Sequence, residues 1–181
     1  MSNFFHKADL SRKDAENIVS DTLNNCDDGE LYLENSKSES IVLDDNKIKS
    51  SSYSSDLGYG FRAITDEVVA YSHSNEISKD SLKQSSENLY STLKSKKGTY
   101  NHAITKTNEK FYKEINPIEE KSLNSKLDLL KEINNYTRAK GTIVHQVTAS
   151  FAGEHKSVEI IRSGGEVLTD VRPLIRFNVS V

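Results

Sequence analysis

Glu30-Leu-Tyr-Leu-Glu34 alternates polar and apolar residues, and Ser40-Ile-Val-Leu43 continues this pattern a few positions downstream. A period of two is typical of a β-strand with one buried face. Asp44-Asp-Asn46 follows, and its short polar side chains favour a hairpin turn because they bond to nearby backbone and tolerate left-handed geometry. We therefore expect an antiparallel sheet to organise the fold.

Further strand patterns extend this sheet. They cover residues 47–53, 57–64 and 68–74, with a polar, serine-rich turn predicted between the first two. Gly58 and Gly60 flank Tyr59, and glycines inside a strand mark a bulge or a close backbone approach, although ordinary strand geometry is the commoner explanation here. The whole segment is predicted to be an antiparallel meander.

A second group of strand patterns lies in the carboxyl-terminal part of the chain, over residues 142–151, 156–162, 166–172 and 174–181. Ala152-Gly153 is predicted to reverse the chain direction, and Ser163-Gly-Gly165 is predicted to form a hairpin turn. We expect these strands to form a second antiparallel layer or to extend the first sheet.

Helical spacing of apolar residues predicts three helices, over residues 10–26, 78–94 and 118–138. The predicted fold class is therefore α+β, with antiparallel β-sheet meanders packed with about three helices. The intervening residues 95–117 show no periodicity. We expect a single domain over residues 1–181 with a sub-boundary near residues 95–117.

The composition excludes several classes of protein. The chain has 181 residues, a net charge of -3 and a pI near 6.0, with acidic and basic residues interspersed, which disfavours direct nucleic-acid binding. Cys26 is the only cysteine, so no intramolecular disulfide can form. There is no apolar run long enough for a membrane span and no pattern of a signal peptide. A cytoplasmic protein is expected.

The histidines make a weak case for metal chemistry. No two of the five fall at the helical His-Glu-x-x-His spacing that zinc hydrolases use. His145 and His155 could face each other across the predicted reversal, but two ligands without a third carboxylate or cysteine make a poor zinc site. We therefore predict no catalytic, cofactor-binding or metal-binding residue in this chain.

One arginine cluster suggests a binding role. Arg162, Arg172 and Arg176 lie on adjacent predicted strands, and the last two share a sheet face by the period of two. Arginines can hold a carboxylate or a partner surface bidentately, although an exposed polar face is the commoner explanation. These three residues are the predicted contacts with a partner or a peptide.

Several segments together resemble the TldD/PmbA (TldD/TldE) metallopeptidase family. Three segments are similar to the amino-terminal region of that family's sequences, namely Asp28-Gly-Glu-Leu-Tyr-Leu-Glu34, Glu39-Ser-Ile-Val-Leu-Asp-Asp45 and Gly58-Tyr-Gly-Phe-Arg-Ala-Ile64. The TldD branch is specifically similar to Gln146-Val-Thr-Ala-Ser-Phe-Ala-Gly153, Thr169-Asp-Val-Arg-Pro-Leu-Ile-Arg176 and Val179-Ser-Val181. The resemblance covers nearly the whole chain and identifies it as a TldD-like amino-terminal domain.

This resemblance implies a zinc peptidase whose carboxyl-terminal metallopeptidase domain, with its histidine-glutamate zinc motif, is absent from this chain. It also implies a PmbA/TldE-like partner subunit and unfolded or precursor peptides as substrates; the family is also called modulator of DNA gyrase. The 181 residues would then be inactive alone. They would supply scaffold, subunit contact and a peptide-strand binding surface.

Two alternatives stay open. The chain could be a stand-alone protein-binding or adaptor module without peptidase activity, or a self-contained hydrolase that uses His145, His155 and a nearby acidic residue. The apolar alternation of Phe177, Val179 and Val181 runs to the last residue, and natural termini seldom interrupt a strand. We therefore expect the sequence to be a piece of a longer protein. An edge strand left exposed in this piece could also drive it to form homo-oligomers.

Overall fold

A computed structural model describes residues 4–5, 9–93, 97–99 and 111–181. These residues form three helices and five strands, in the order α1 (Arg12–Leu23), β1 (Asp28–Asp44), β2 (Lys47–Thr65), β3 (Val68–Ser74), α2 (Lys79–Leu93), α3 (Leu123–Arg138), β4 (Thr148–Arg162) and β5 (Val167–Ser180). The strands form one antiparallel sheet in the order β3-β2-β1-β4-β5. The predicted α+β class is confirmed, and the second strand group extends the first sheet.

The described residues fall into two compact units, and β1, β2, β4 and β5 each contribute to both. Unit 1 draws on Met1–Asn35, Asp56–Phe111 and Ser157–Asp170, and unit 2 on Ser36–Ser55, Tyr112–Lys156 and Val171–Val181. Residues 95, 96 and 100–110, within the predicted sub-boundary near residues 95–117, lie outside the described residues. That boundary stays a prediction.

Each unit has its own apolar core. In unit 1 the buried residues of α1 and α2 pack against alternate residues of the strands, including Leu31, Leu33, Phe61 and Ala63. The core of unit 2 is smaller and contains Ile41, Leu43, Leu130, Ala149 and Phe151. Burial of every second strand residue is the expected consequence of packing one sheet face against helices.

The strands are longer than the sequence suggests. The predicted serine-rich turn after residue 53 is wrong, because β2 runs unbroken from Lys47 to Thr65. Serine hydroxyls can bond across a strand pair as well as within a turn, and the Oγ atoms of Ser38 and Ser54 lie 2.8 Å apart. The 17-residue β1 also offers a partner of nearly equal length.

The predicted reversal at Ala152-Gly153 is also wrong, since β4 passes straight through it. Glycine at this position leaves room for two neighbouring side chains, because a Cβ on Gly153 would come within 3.1 Å of Phe151 Cζ and 3.2 Å of Ile118 Cγ1. The strands predicted over residues 166–172 and 174–181 are likewise a single strand, β5, which runs through Pro173. Proline is tolerated there because β5 is an edge strand within the described part of the chain, so that one side of its backbone joins no ladder.

The two predicted hairpin turns are confirmed. Asp45 and Asn46 have φ values of 48° and 62°, which short polar side chains tolerate. Gly164 and Gly165 have φ values of 92° and 82°, which favour glycine strongly. These turns set β1 against β2 and β4 against β5.

Helices α1 and α2 lie where the sequence predicts them, whereas α3 begins at Leu123 rather than near residue 118. Ser122 is its N-cap and accepts a hydrogen bond from the Ser125 N–H. The preceding residues form a turn around Asn116, whose side-chain oxygen accepts from the Ile118 N–H at 3.0 Å. Apolar spacing alone does not separate such a turn from a first helical turn.

Candidate peptide-binding surface

The carboxyl-terminal half of β5, in unit 2, is an exposed edge with apolar side chains. Edge position follows from the strand order, in which β5 has β4 as its only neighbour among the described residues. Large apolar residues stay exposed along this half and directly after it, namely Leu174, Ile175, Phe177, Val179 and Val181. An edge of this kind offers unpaired backbone groups beside apolar surface, and is therefore able to accept a further strand.

A groove of ≈ 380 Å³ lies next to this edge. Ile175 and Phe177 form its strand side, while Leu129, Phe151 and Pro117 line the rest of its apolar wall. The Phe151 and Phe177 rings pack in a tilted geometry with centroids 5.2 Å apart. The groove can thus take an apolar side chain that projects from a strand added at β5.

A buried ion pair holds the wall of this groove. Lys126 of α3 pairs with Glu39 of β1, and the two side chains are only 7 % and 11 % exposed. Lys126 Nζ also donates to the Ile118 carbonyl oxygen at 2.6 Å and lies 5.4 Å from the centroid of the Phe151 ring. The lysine thus fixes α3 to the strand and the preceding turn while lining the groove.

Sequence reasoning missed Lys126 and Glu39. The signal was present, because Lys126 falls between Leu123 and Leu130 at the three- and four-residue spacing of the apolar stripe of α3. A charged residue on a buried helix face requires a partner. The identity of that partner depends on which strand lies beneath α3, which the helix spacing does not specify.

The three predicted arginine contacts fall into two groups, one in each unit. Arg162, in unit 1, donates from Nη2 to Asp28 Oδ1 at 2.9 Å. Arg172 and Arg176 belong to the part of β5 in unit 2, where both are exposed, and Arg176 Nε donates to Asn178 Oδ1 at 3.2 Å. Arg162 is thus held in an ion pair, and the binding role of all three stays a prediction.

The histidines do not form a zinc site in the described part of the chain. His145 precedes β4 and is exposed, whereas His155 lies within that strand, so no hairpin sets them face to face. Burial lowers the pKa of His155, nearby Lys37 lowers it further, and Glu119 opposes both. No group of three histidine, cysteine, aspartate or glutamate residues with metal-binding geometry occurs among the described residues, so these donors do not fit zinc.

Cys26 offers no better case for chemistry. Its side chain is buried, and its thiol donates to the Thr22 carbonyl oxygen at 3.7 Å. Burial raises the pKa of the thiol, which keeps it protonated and weakly nucleophilic.

In the described residues, no helix combines the length and apolar character needed to cross a bilayer.

Two family models match this chain. Residues 29–92 match PmbA/TldA metallopeptidase domain 1, and residues 116–181 match the PmbA/TldA metallopeptidase central domain. Both matches include strands described above.

Curated relatives agree with these matches. A metalloprotease TldD homolog from Buchnera aphidicola subsp. Acyrthosiphon pisum is 36 % identical over 156 residues, which cover 86 % of this chain and 32 % of that protein. A metalloprotease TldD homolog from Haemophilus influenzae is 32 % identical over 160 residues, covering 87 % of this chain and 33 % of that protein. The chain therefore spans about a third of the length of these relatives.

Solved structures share the fold. A candidate modulator of DNA gyrase from Bacteroides thetaiotaomicron has a TM-score of 0.68 at 13 % identity, over 93 % of this chain and 41 % of that one. TldE from Thermococcus kodakarensis has a TM-score of 0.57 at 15 % identity, over 91 % of this chain and 42 % of that one. With the domain matches and the TldD homologs, these findings establish that the chain belongs to the PmbA/TldD metallopeptidase family.

Proposed function

We propose that this chain is a noncatalytic amino-terminal part of a TldD-like zinc metallopeptidase that acts on unfolded or precursor peptides. Its own contribution is to bind extended peptide along β5 and to serve as scaffold and subunit contact. The zinc and the residues that hold it belong to the remainder of the enzyme in this proposal. The partner subunit would resemble PmbA or TldE, the protein whose structure from Thermococcus kodakarensis has a similar fold.

The observation that carries the peptide-binding role is the exposed edge of β5 beside an apolar groove. A peptide added as a strand gains backbone hydrogen bonds that do not depend on its sequence, and its alternate side chains enter pockets on one face. Such a surface accepts chains that are unfolded and rejects folded ones. That selectivity suits a peptidase for unfolded or precursor peptides.

Backbone-methylated peptides test strand addition directly. We would measure binding of an unmodified apolar peptide to the 181-residue chain, and then of two isomers N-methylated at alternate positions. Methylation on the edge that faces β5 removes the donors required for pairing, whereas methylation on the outer edge leaves them intact. We expect one isomer to lose binding at least about tenfold and the other to bind like the parent.

Two serine substitutions on β5 then distinguish binding in the groove from nonspecific binding to exposed apolar surface. Phe177→Ser removes a groove-lining ring, whereas Leu174→Ser changes an exposed apolar residue that the groove does not contain. We expect peptide affinity to fall about tenfold with Phe177→Ser and to change less than about twofold with Leu174→Ser. Equal binding of the two methylated isomers, or equal effects of the two substitutions, would exclude this surface.

A further inference from the structure

The interior of the groove beside β5 favours a neutral side chain. Lys126 is the one buried charged residue among the groove-lining residues that the structure describes, and its charge is already paired with that of Glu39. Glu120 and Lys121 also line the groove, but both are exposed and their charges are opposite. A charged side chain of a bound peptide would lose its water in this interior, where the only charge is already neutralised.

Aromatic rings form much of the apolar wall. Phe151 is only 3 % exposed, whereas Phe177 is 44 % exposed, so part of the Phe177 ring is available to a bound group. The two rings pack in a tilted geometry at 5.2 Å, and Lys126 Nζ lies 5.4 Å from the centroid of the Phe151 ring. A further ring placed against Phe177 would extend this pair to a cluster of three. Aromatic rings in such geometries attract each other beyond what their buried apolar area supplies.

The groove is also large enough for a whole ring. Its volume is ≈ 380 Å³, and an apolar cavity of about 150 Å³ is enough to hold benzene. Pro117, from the turn before α3, and Leu129, from α3 itself, complete the apolar wall. A side chain as small as that of alanine would leave most of this apolar surface in contact with water.

We propose that this groove is a subsite that selects an aromatic side chain, of which phenylalanine is the simplest, from a peptide bound along β5. The inference rests on the proposed peptide-binding function and adds a preference at one position of the peptide. Ile175 and Phe177 both line the groove and are two residues apart, and an added strand presents every second side chain to the same face. One aromatic residue in an extended peptide therefore sets the register of that peptide on β5.

A series of host peptides tests this preference. Each is a short peptide rich in serine and threonine with one variable central residue, which is phenylalanine, cyclohexylalanine, leucine or alanine. Cyclohexylalanine has nearly the size of phenylalanine but no aromatic ring, so it separates the contribution of the ring from that of apolar volume. Titration calorimetry with the 181-residue chain should show phenylalanine binding about threefold more tightly than cyclohexylalanine or leucine, and at least about tenfold more tightly than alanine.

A variant of Phe177 assigns the preference to the groove. Phe177→Leu removes the accessible ring but keeps an apolar side chain at a half-exposed position of an edge strand. We expect this variant to bind the phenylalanine and cyclohexylalanine peptides equally, and the cyclohexylalanine peptide within about twofold of the parent. Tyr136→Leu is the matched control, because it removes an exposed aromatic ring of α3 that does not line the groove, and the preference should persist in it.

Failure of the aromatic preference and failure of strand addition give different results. If cyclohexylalanine and leucine bind as tightly as phenylalanine while the two N-methylated isomers still differ, the preference is wrong and strand addition stands. If the methylated isomers bind equally, strand addition fails and the subsite fails with it. A phenylalanine preference that persists in Phe177→Leu would also overturn the proposal, since the peptide ring would then bind elsewhere.

Discussion

The buried pair between Lys126 and Glu39 makes a strong prediction about stability. Both side chains are nearly inaccessible, and among the described residues the Ile118 carbonyl oxygen is the second hydrogen-bond acceptor of Lys126. Glu39→Gln would leave the lysine charge buried opposite a neutral amide of similar shape. Removal of one partner of a buried ion pair typically costs about 3–5 kcal/mol, because the remaining charge is desolvated without compensation.

The expected loss is large for a chain of this size. One kcal/mol corresponds to about 2–4 °C for a domain of 150–250 residues, so Glu39→Gln should lower the Tm by about 6–20 °C. Urea and thermal unfolding followed by circular dichroism would measure both quantities. The double variant Glu39→Gln/Lys126→Met should be less destabilised than the sum of the single variants, because it leaves no unpaired charge.

A matched control lies on the same helix. Lys131 and Asp128 form a surface ion pair of 3.7 Å with side chains 51 % and 74 % exposed. Asp128→Asn should change stability by no more than about 0.5 kcal/mol, since solvent screens the pair. If Glu39→Gln lowers the free energy of unfolding as little as Asp128→Asn does, the pair of Lys126 and Glu39 does not hold the wall of the groove.

Two further predictions concern a close backbone contact and a buried carboxyl group. Gly29→Ala should destabilise by about 1–3 kcal/mol in urea unfolding, because its Cβ would lie 2.6 Å from the Arg62 carbonyl oxygen; Gly141→Ala, with nothing within 4 Å, should stay within about 1 kcal/mol of the parent. Burial raises the pKa of Glu159, so the stability that this group contributes is fully present below its unfolded pKa of about 4.3 and is lost as pH rises through its folded pKa. Between these two pKa values, the free energy of unfolding of Glu159→Gln should therefore rise relative to that of the parent as pH increases. A difference in free energy of unfolding that stays constant, or that changes in favour of the parent, would contradict this prediction.

Much of the fold could be predicted from local patterns. The α1 spacing, the Asp45-Asn46 turn and the Gly164-Gly165 turn all depend on neighbouring residues, and the structure confirms them. Strand continuity could not be predicted in this way. Serine-rich residues of β2 and Gly153 of β4 have the composition of turns, and only their neighbours across the sheet or in the core keep them extended.

The candidate surface was predicted only in part. The sequence indicates an exposed apolar strand after Leu174, and the strand order makes it an edge. The groove beside it combines Phe177, Phe151 and Leu129 from three separate elements, so its existence depends on packing that no local pattern encodes. The same limit applies to Lys126 and Glu39, which are 87 positions apart in the sequence.

In the proposed function, this chain binds extended peptide but does not cleave it. The most direct measurement is mass spectrometry of an unfolded peptide after incubation with the 181-residue chain and added zinc, once binding has been saturated. We predict that the peptide is recovered at full length. Cleavage products that form with zinc and disappear with a chelator would contradict this prediction. The chain would then hold a catalytic zinc itself, with His145 and His155 as the candidate ligands.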